Sequence, residues 1–98
     1  MFELTHFTSG NDAALATTSF TSDVFEFQLY GNRTGIFQVN CSSGDTVVLE
    51  SRLSPEFNWV TILTITDEDA QQEIILAPQF RVRVTNTSGS AVKAAMHI

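Results

Sequence analysis

The side chains of this chain that could carry chemistry are few and scattered. Nucleophilic catalysis needs a nucleophile, a base and a group that orients the base. The only thiol is Cys41, and the two histidines, His6 and His97, lie close to the chain ends. Cys41, His97 and an acid would form such a set if the terminal strand ran beside the strand carrying Cys41. A half-buried strand cysteine and an outward-facing histidine are the plainer expectation. Asp67-Glu68-Asp69 with Glu73 offers oxygen ligands of the kind calcium favours. The EF-hand spacing and its glycine are missing, however, and acids in a strand-to-strand turn are ordinary solvated punctuation. One cysteine and two histidines leave zinc without a ligand set. No catalytic, cofactor-binding or metal-ligating residue is expected, and the chain reads as non-enzymatic.

Two further groups could bind rather than react. Arg81 and Arg83, two residues apart on one strand face, could grip a carboxylate or other anion. Pairing across the sheet with Glu26 or Glu50 is the expected structural use. Trp59 and the phenylalanines could form a sugar-stacking platform, although a single Trp in a central strand is more often a core anchor. Phe57 and Tyr30, beside turns, are the aromatics expected at the surface, where they suit protein contacts. No glycine-rich phosphate loop and no basic-aromatic patch is present.

Length and charge set the limits within which these residues are placed. Ninety-eight residues allow one compact domain. A net charge of −6 argues against binding a phosphate backbone, so no nucleic-acid partner is expected. The longest apolar runs, such as Ile74-Ile75-Leu76-Ala77, fall far short of the roughly 20 residues a membrane span needs, so no membrane partner is expected. Met1–His6 lacks the basic and apolar regions of a secretory leader, and the unpaired Cys41 fits a reducing cytoplasm. The sequons at Asn32, Asn40 and Asn86 carry no weight in so Ser/Thr-rich a chain.

The elements that must position these groups are strands. Val, Ile, Thr and eight Phe dominate, and period-2 alternation runs throughout. Seven strands are expected: 24–30, 36–41, 46–53, 58–66, 73–77, 80–85 and 91–98, separated by Gly-, Asn-, Ser- and Pro-bearing turns. The stretch 58–66 is apolar on both faces and therefore predicts a central strand covered on both sides. Phe80, Val82 and Val84 point inward with Arg81, Arg83 and Thr85 outward; Val92, Ala94, Met96 and Ile98 line the inner face of the last strand. Residues 1–22, rich in Ala, Ser and Thr, would give an N-terminal arm or a weak eighth edge strand, and residues 23–98 the sandwich domain. The fold class is all-β: a single antiparallel β-sandwich, jelly-roll or Ig-like, of 7–8 strands. Its edges need protection from random pairing, and Lys93 with a few acids is all that offers it, which hints at an edge covered by a partner.

Three segments carry a family resemblance: Gly44-Asp45-Thr46-Val47-Val48-Leu49-Glu50-Ser51-Arg52-Leu53, Asn58-Trp59-Val60-Thr61-Ile62, and Phe80-Arg81-Val82-Arg83-Val84-Thr85-Asn86-Thr87-Ser88-Gly89. Together they resemble small β-sandwich virion proteins of tailed bacteriophages, across about half the chain. The resemblance implies a capsid decoration (cement) protein or a minor head or tail protein, present in many copies. Its implied partners are the major capsid protein or other virion proteins and further copies of itself, and its implied location is the virion, after synthesis in the host cytoplasm. It carries over no catalytic residue, cofactor or metal. The alternative reading is a carbohydrate-binding or receptor-recognition β-sandwich module.

Overall fold

A computed structural model describes residues 4–7, 17–27 and 33–98. Within them the chain forms β1 (Leu4–His6), β2 (Phe20–Thr21), β3 (Phe25–Glu26), β4 (Thr34–Asn40), β5 (Thr46–Arg52), β6 (Val60–Thr66), β7 (Ala70–Ile75), β8 (Gln79–Thr85) and β9 (Lys93–His97). The described residues contain no helix, so none is long and apolar enough to cross a membrane.

The strands form two antiparallel sheets. One has the order β1–β9–β4–β7; in the other, β8 lies beside β5 and β5 beside β6. β2 and β3 both pair with β8, Phe20 opposite Val84 and Phe25 opposite Phe80, so they share one lane broken at residues 22–24. Ser22 spans the break, donating its N–H to the Val82 carbonyl at 2.8 Å and accepting the Val82 N–H on its hydroxyl at 2.9 Å. With that lane counted once, the first strand pairs with the last, and β2/β3, β4 and β5 pair with β8, β7 and β6. This nesting is one long antiparallel hairpin rolled over itself, which is the jelly roll.

Alternation explains which residues fill the space between the sheets. β4 buries Gly35, Phe37 and Val39 and turns Thr34, Gln38 and Asn40 outward. β8 buries Phe80, Val82 and Val84, and β9 buries Ala94 and Met96, with Val92 just before it. Phe7 is fully buried, donates its N–H to the Ala94 carbonyl at 2.9 Å, and meets Phe25 and Phe37 edge-on at 5.3 and 5.9 Å. Phe27 meets Phe80 in the same way at 5.6 Å. Burying one such ring is worth about 2–3 kcal/mol. Leu4–His6 therefore belong to the sandwich itself, and Phe7 helps to fill its centre.

Several expectations shift. Stretch 58–66 is not central: β6 is the outermost strand of its sheet among the described residues, and Val60, Thr61, Ile62 and Thr64 are exposed. Its second apolar face, taken as a sign of burial within the chain, looks outward. β7 begins at Ala70, three residues before the expected Glu73, because Ala70 and Gln71 continue the pairing with Val39 and Gln38. β5 ends at Arg52, one residue short of the expected 46–53, and Leu53 beyond it is exposed. Lys93 guards no edge, since β9 has β1 on one side and β4 on the other. The stretch 24–30 is described only to Phe27, and Tyr30 lies outside the described residues.

Candidate functional site

One end of the sandwich gathers most of the residues that looked chemical. Asp45, fully buried, accepts hydrogen bonds from the Ser42, Thr87 and Ser88 N–H groups and from the Ser88 hydroxyl, at 2.8–3.1 Å. Burial alone would raise its pKa, but these donors outweigh burial and hold the carboxyl below its ordinary value. Gly44 has φ +93° and donates to Asp67 Oδ1 at 2.8 Å; a Cβ there would lie 2.6 Å from Thr87 Oγ1. Only glycine meets both demands. Asp69 Oδ1 accepts the Cys41 N–H at 3.0 Å. Asp67 and Asp69 thus spend an oxygen each on separate backbone groups, and Glu73 lies three residues beyond Ala70 along β7. No group of three potential metal ligands forms among the described residues.

Cys41 is buried and its thiol donates to the Glu68 carbonyl at 3.1 Å. Burial pushes its pKa up, and the charges of Asp45, Asp69 and Asp67 push the same way, which favours the thiol over the nucleophilic thiolate. His97 pairs opposite Ile36, five residues from Cys41 and so roughly 16 Å along the strand. Both His97 and His6 are exposed, whereas Cys41 is buried, so the Cys41–His97 set that the sequence allowed is not assembled.

The outer face of the second sheet uses its charges internally. Glu50 Oε1 accepts a hydrogen bond from Arg81 Nε at 2.8 Å and forms an ion pair with Arg83 Nε at 3.0 Å, with the Glu50 side chain 7% exposed. Arg52 Nε donates to Gln79 Oε1 at 2.7 Å, and Gln79 Nε2 donates to Glu26 at 2.7 Å. The guanidinium carbons of Arg52 and Arg81 lie 4.2 and 4.5 Å from the Trp59 ring centroid. Cation–π contact of this kind is worth about 0.5–2 kcal/mol. Trp59 is half-buried, neither the core anchor expected nor a platform presented to a ligand.

What faces outward without such partners is the flank where β6 and β7, each the outermost strand of its sheet, come together. Leu53, Phe57, Val60, Ile62 and Ile75 are 43–81% exposed there. Two shallow depressions of about 540 and 620 Å³ run along it and share Ser51, Ile62 and Ala77. One is walled by Leu53, Phe57 and Val60, the other by Leu63, residues 72–75 of β7 and Leu76 just after it. A register shift between Leu49 and Glu50 leaves Ile62 as the extra residue of β6, a bulge that bends the strand. The sequence marked Phe57 as exposed but missed the rest of this surface, because an edge strand bearing apolar groups on both faces has the pattern of a central one. The signal within reach was the lack of charge throughout Val60–Thr66 together with Leu53 and Phe57 in the preceding loop. Comparison with protein-family models, curated proteins and solved structures gives no significant match.

Proposed function

We propose that this jelly roll is a non-enzymatic structural component of a bacteriophage virion, a capsid decoration (cement) protein held in place by its β6–β7 flank. The observation that carries the reading is the flank itself. Its five large apolar side chains, exposed beside two edge strands, form a surface on the scale that marks protein contact sites. Jelly rolls serve capsids and lectins alike, so the architecture supports a binding protein without choosing its ligand. The similarity of 44–53, 58–62 and 80–89 to phage virion sandwiches supplies the choice. The partners are then the major capsid protein or other virion proteins together with further copies of this chain. The chain reaches the virion from the host cytoplasm.

The sugar-stacking alternative is weakened at Trp59, whose ring is already engaged by Arg52 and Arg81. Quantitative mass spectrometry of gradient-purified virions tests the proposal. The chain should sediment with particles at a copy number comparable to that of a shell protein. Its presence in infected-cell lysate but not in particles would overturn the reading.

A further inference from the structure

We propose that the outer face of the β1–β9–β4–β7 sheet is a binding site for an acidic sugar, a pyranose that carries a carboxylate. The site is built by register. His6, Ala95, Gln38 and Gln71 lie opposite one another across the four lanes. Ala95 is the short side chain in that row and makes the floor. Lys93 and His97, two residues away on either side along β9, point to the same face and form two walls. The resulting trough holds about 520 Å³, within the range of small-molecule sites.

Its chemistry stands apart from the rest of the chain. The protein has eleven acids, one lysine and two histidines. That lysine and both histidines line this trough, and among the described residues no carboxylate does. Among the described residues, Glu73, opposite Ile36, and Asp69 flank Gln71 two residues away on either side and stand at the rim. Lys93 has no edge to guard, so its place in the trough is the use the fold makes of it. Gln38, Asn40 and Gln71 add amides that donate and accept, as hydroxyl recognition requires. The Gln71 Nε2 to Gln38 Oε1 bond of 2.9 Å ties two of them together.

Other anions fit less well. An extended acidic peptide would pair with an open strand edge, whereas the trough lies on a face whose strands are already paired. A phosphate site calls for arginine forks, and no arginine lines the trough. Nucleic acid would face a net charge of −6. With no aromatic ring among the described residues that line it, the site binds singly in the millimolar range, and many copies on one particle would raise that by avidity. That last step alone rests on the virion reading; the site itself does not.

Titration of the intact chain by NMR or calorimetry decides the matter, with oligogalacturonate and sialyllactose as acidic probes, lactose as the neutral one and inorganic phosphate as the simple anion. The acidic sugars should bind at millimolar concentration, and lactose and phosphate at least about tenfold more weakly. Lys93→Glu should weaken acidic-sugar binding about tenfold, and Ala95→Phe should abolish it by filling the floor, both with unchanged thermal melts. No acidic-sugar binding at millimolar concentration would overturn the proposal. So would phosphate binding as tightly as the sugars, or binding that neither substitution alters. Particle association is measured separately, so failure of one proposal leaves the other standing.

Discussion

At one end of the sandwich, Asp45, Asp67 and Asp69 tie the turns after β4, β6 and β8 to one another through backbone N–H groups. At the other end, and along the β6–β7 flank leading to it, Leu53, Phe57, Val60, Ile62 and Ile75 stand exposed. The first region satisfies its polar groups within the chain, and a buried carboxylate is tolerated because four donors meet it. The second keeps apolar surface in contact with water at a continuing cost, which association with another protein would relieve. The lesson is that carboxylates crowded at one end are structural here, while the flank whose exposed side chains are mostly apolar is the one left without partners inside the chain.

Substitutions should separate the two regions sharply. Asp45→Ala takes the acceptor from three backbone donors, Ser42, Thr87 and Ser88, and leaves a cavity at a fully buried position, so its thermal melt should fall by roughly 10 °C, more than for any flank variant. A melt within a few degrees of the parent would show that the bracing is not what holds this end. On the flank, the Ile62→Lys and Phe57→Ser pair should reduce virion occupancy about tenfold while moving the melt little, since surface changes usually fall within about 0.5 kcal/mol. A large melting shift with full occupancy would reverse the roles assigned to the two regions. Glu50→Gln, on the outer face between them, removes the negative charge that Arg81 and Arg83 share and should cost about 1–2 kcal/mol in urea unfolding.

Acid offers a finer test of the braced end. The Asp45 carboxyl has a lowered pKa in the folded chain, so its contribution is full above the ordinary carboxylate range and disappears as pH falls through the lowered value. Urea midpoints of the parent should therefore decline on acidification more steeply than those of Asp45→Asn; parallel curves would contradict this. The smallest effect concerns Cys41. Its thiol should react with an alkylating reagent far more slowly in the native chain than in urea, and Cys41→Ala should cost only about 1 kcal/mol. Equal labelling rates would mean that this end opens freely.

Much of the fold was legible because alternation is a direct image of two faces. Phe80, Val82 and Val84 lie inward as their spacing required, with Arg81 and Arg83 turned to Glu50. Seven of the lanes lay in visible runs; residues 1–22 offered an arm or one weak edge strand, and their split into Leu4–His6 and Phe20–Thr21 was hidden because strands of three and two residues carry too little periodicity. Strand order was not readable at all, since pairing partners such as β1 and β9 lie at opposite ends of the chain. That is why β6 was taken as central. The same limit hid the trough: His6, Gln38, Gln71 and Lys93 share no local pattern and meet only through register.

The nested pairing also governs when the protein can form. β1 pairs with β9, so the sheet containing β4 and β7 cannot complete until residues 93–97 are free of the ribosome. β5 and β6, by contrast, are joined by a short connection and can close early. Synthesis therefore leaves the residues around β1, including the future core ring Phe7, waiting for the last strand. Chains cut short before Lys93 would expose the apolar lining of β4, and a cell making this protein in bulk would feel truncation first as aggregation.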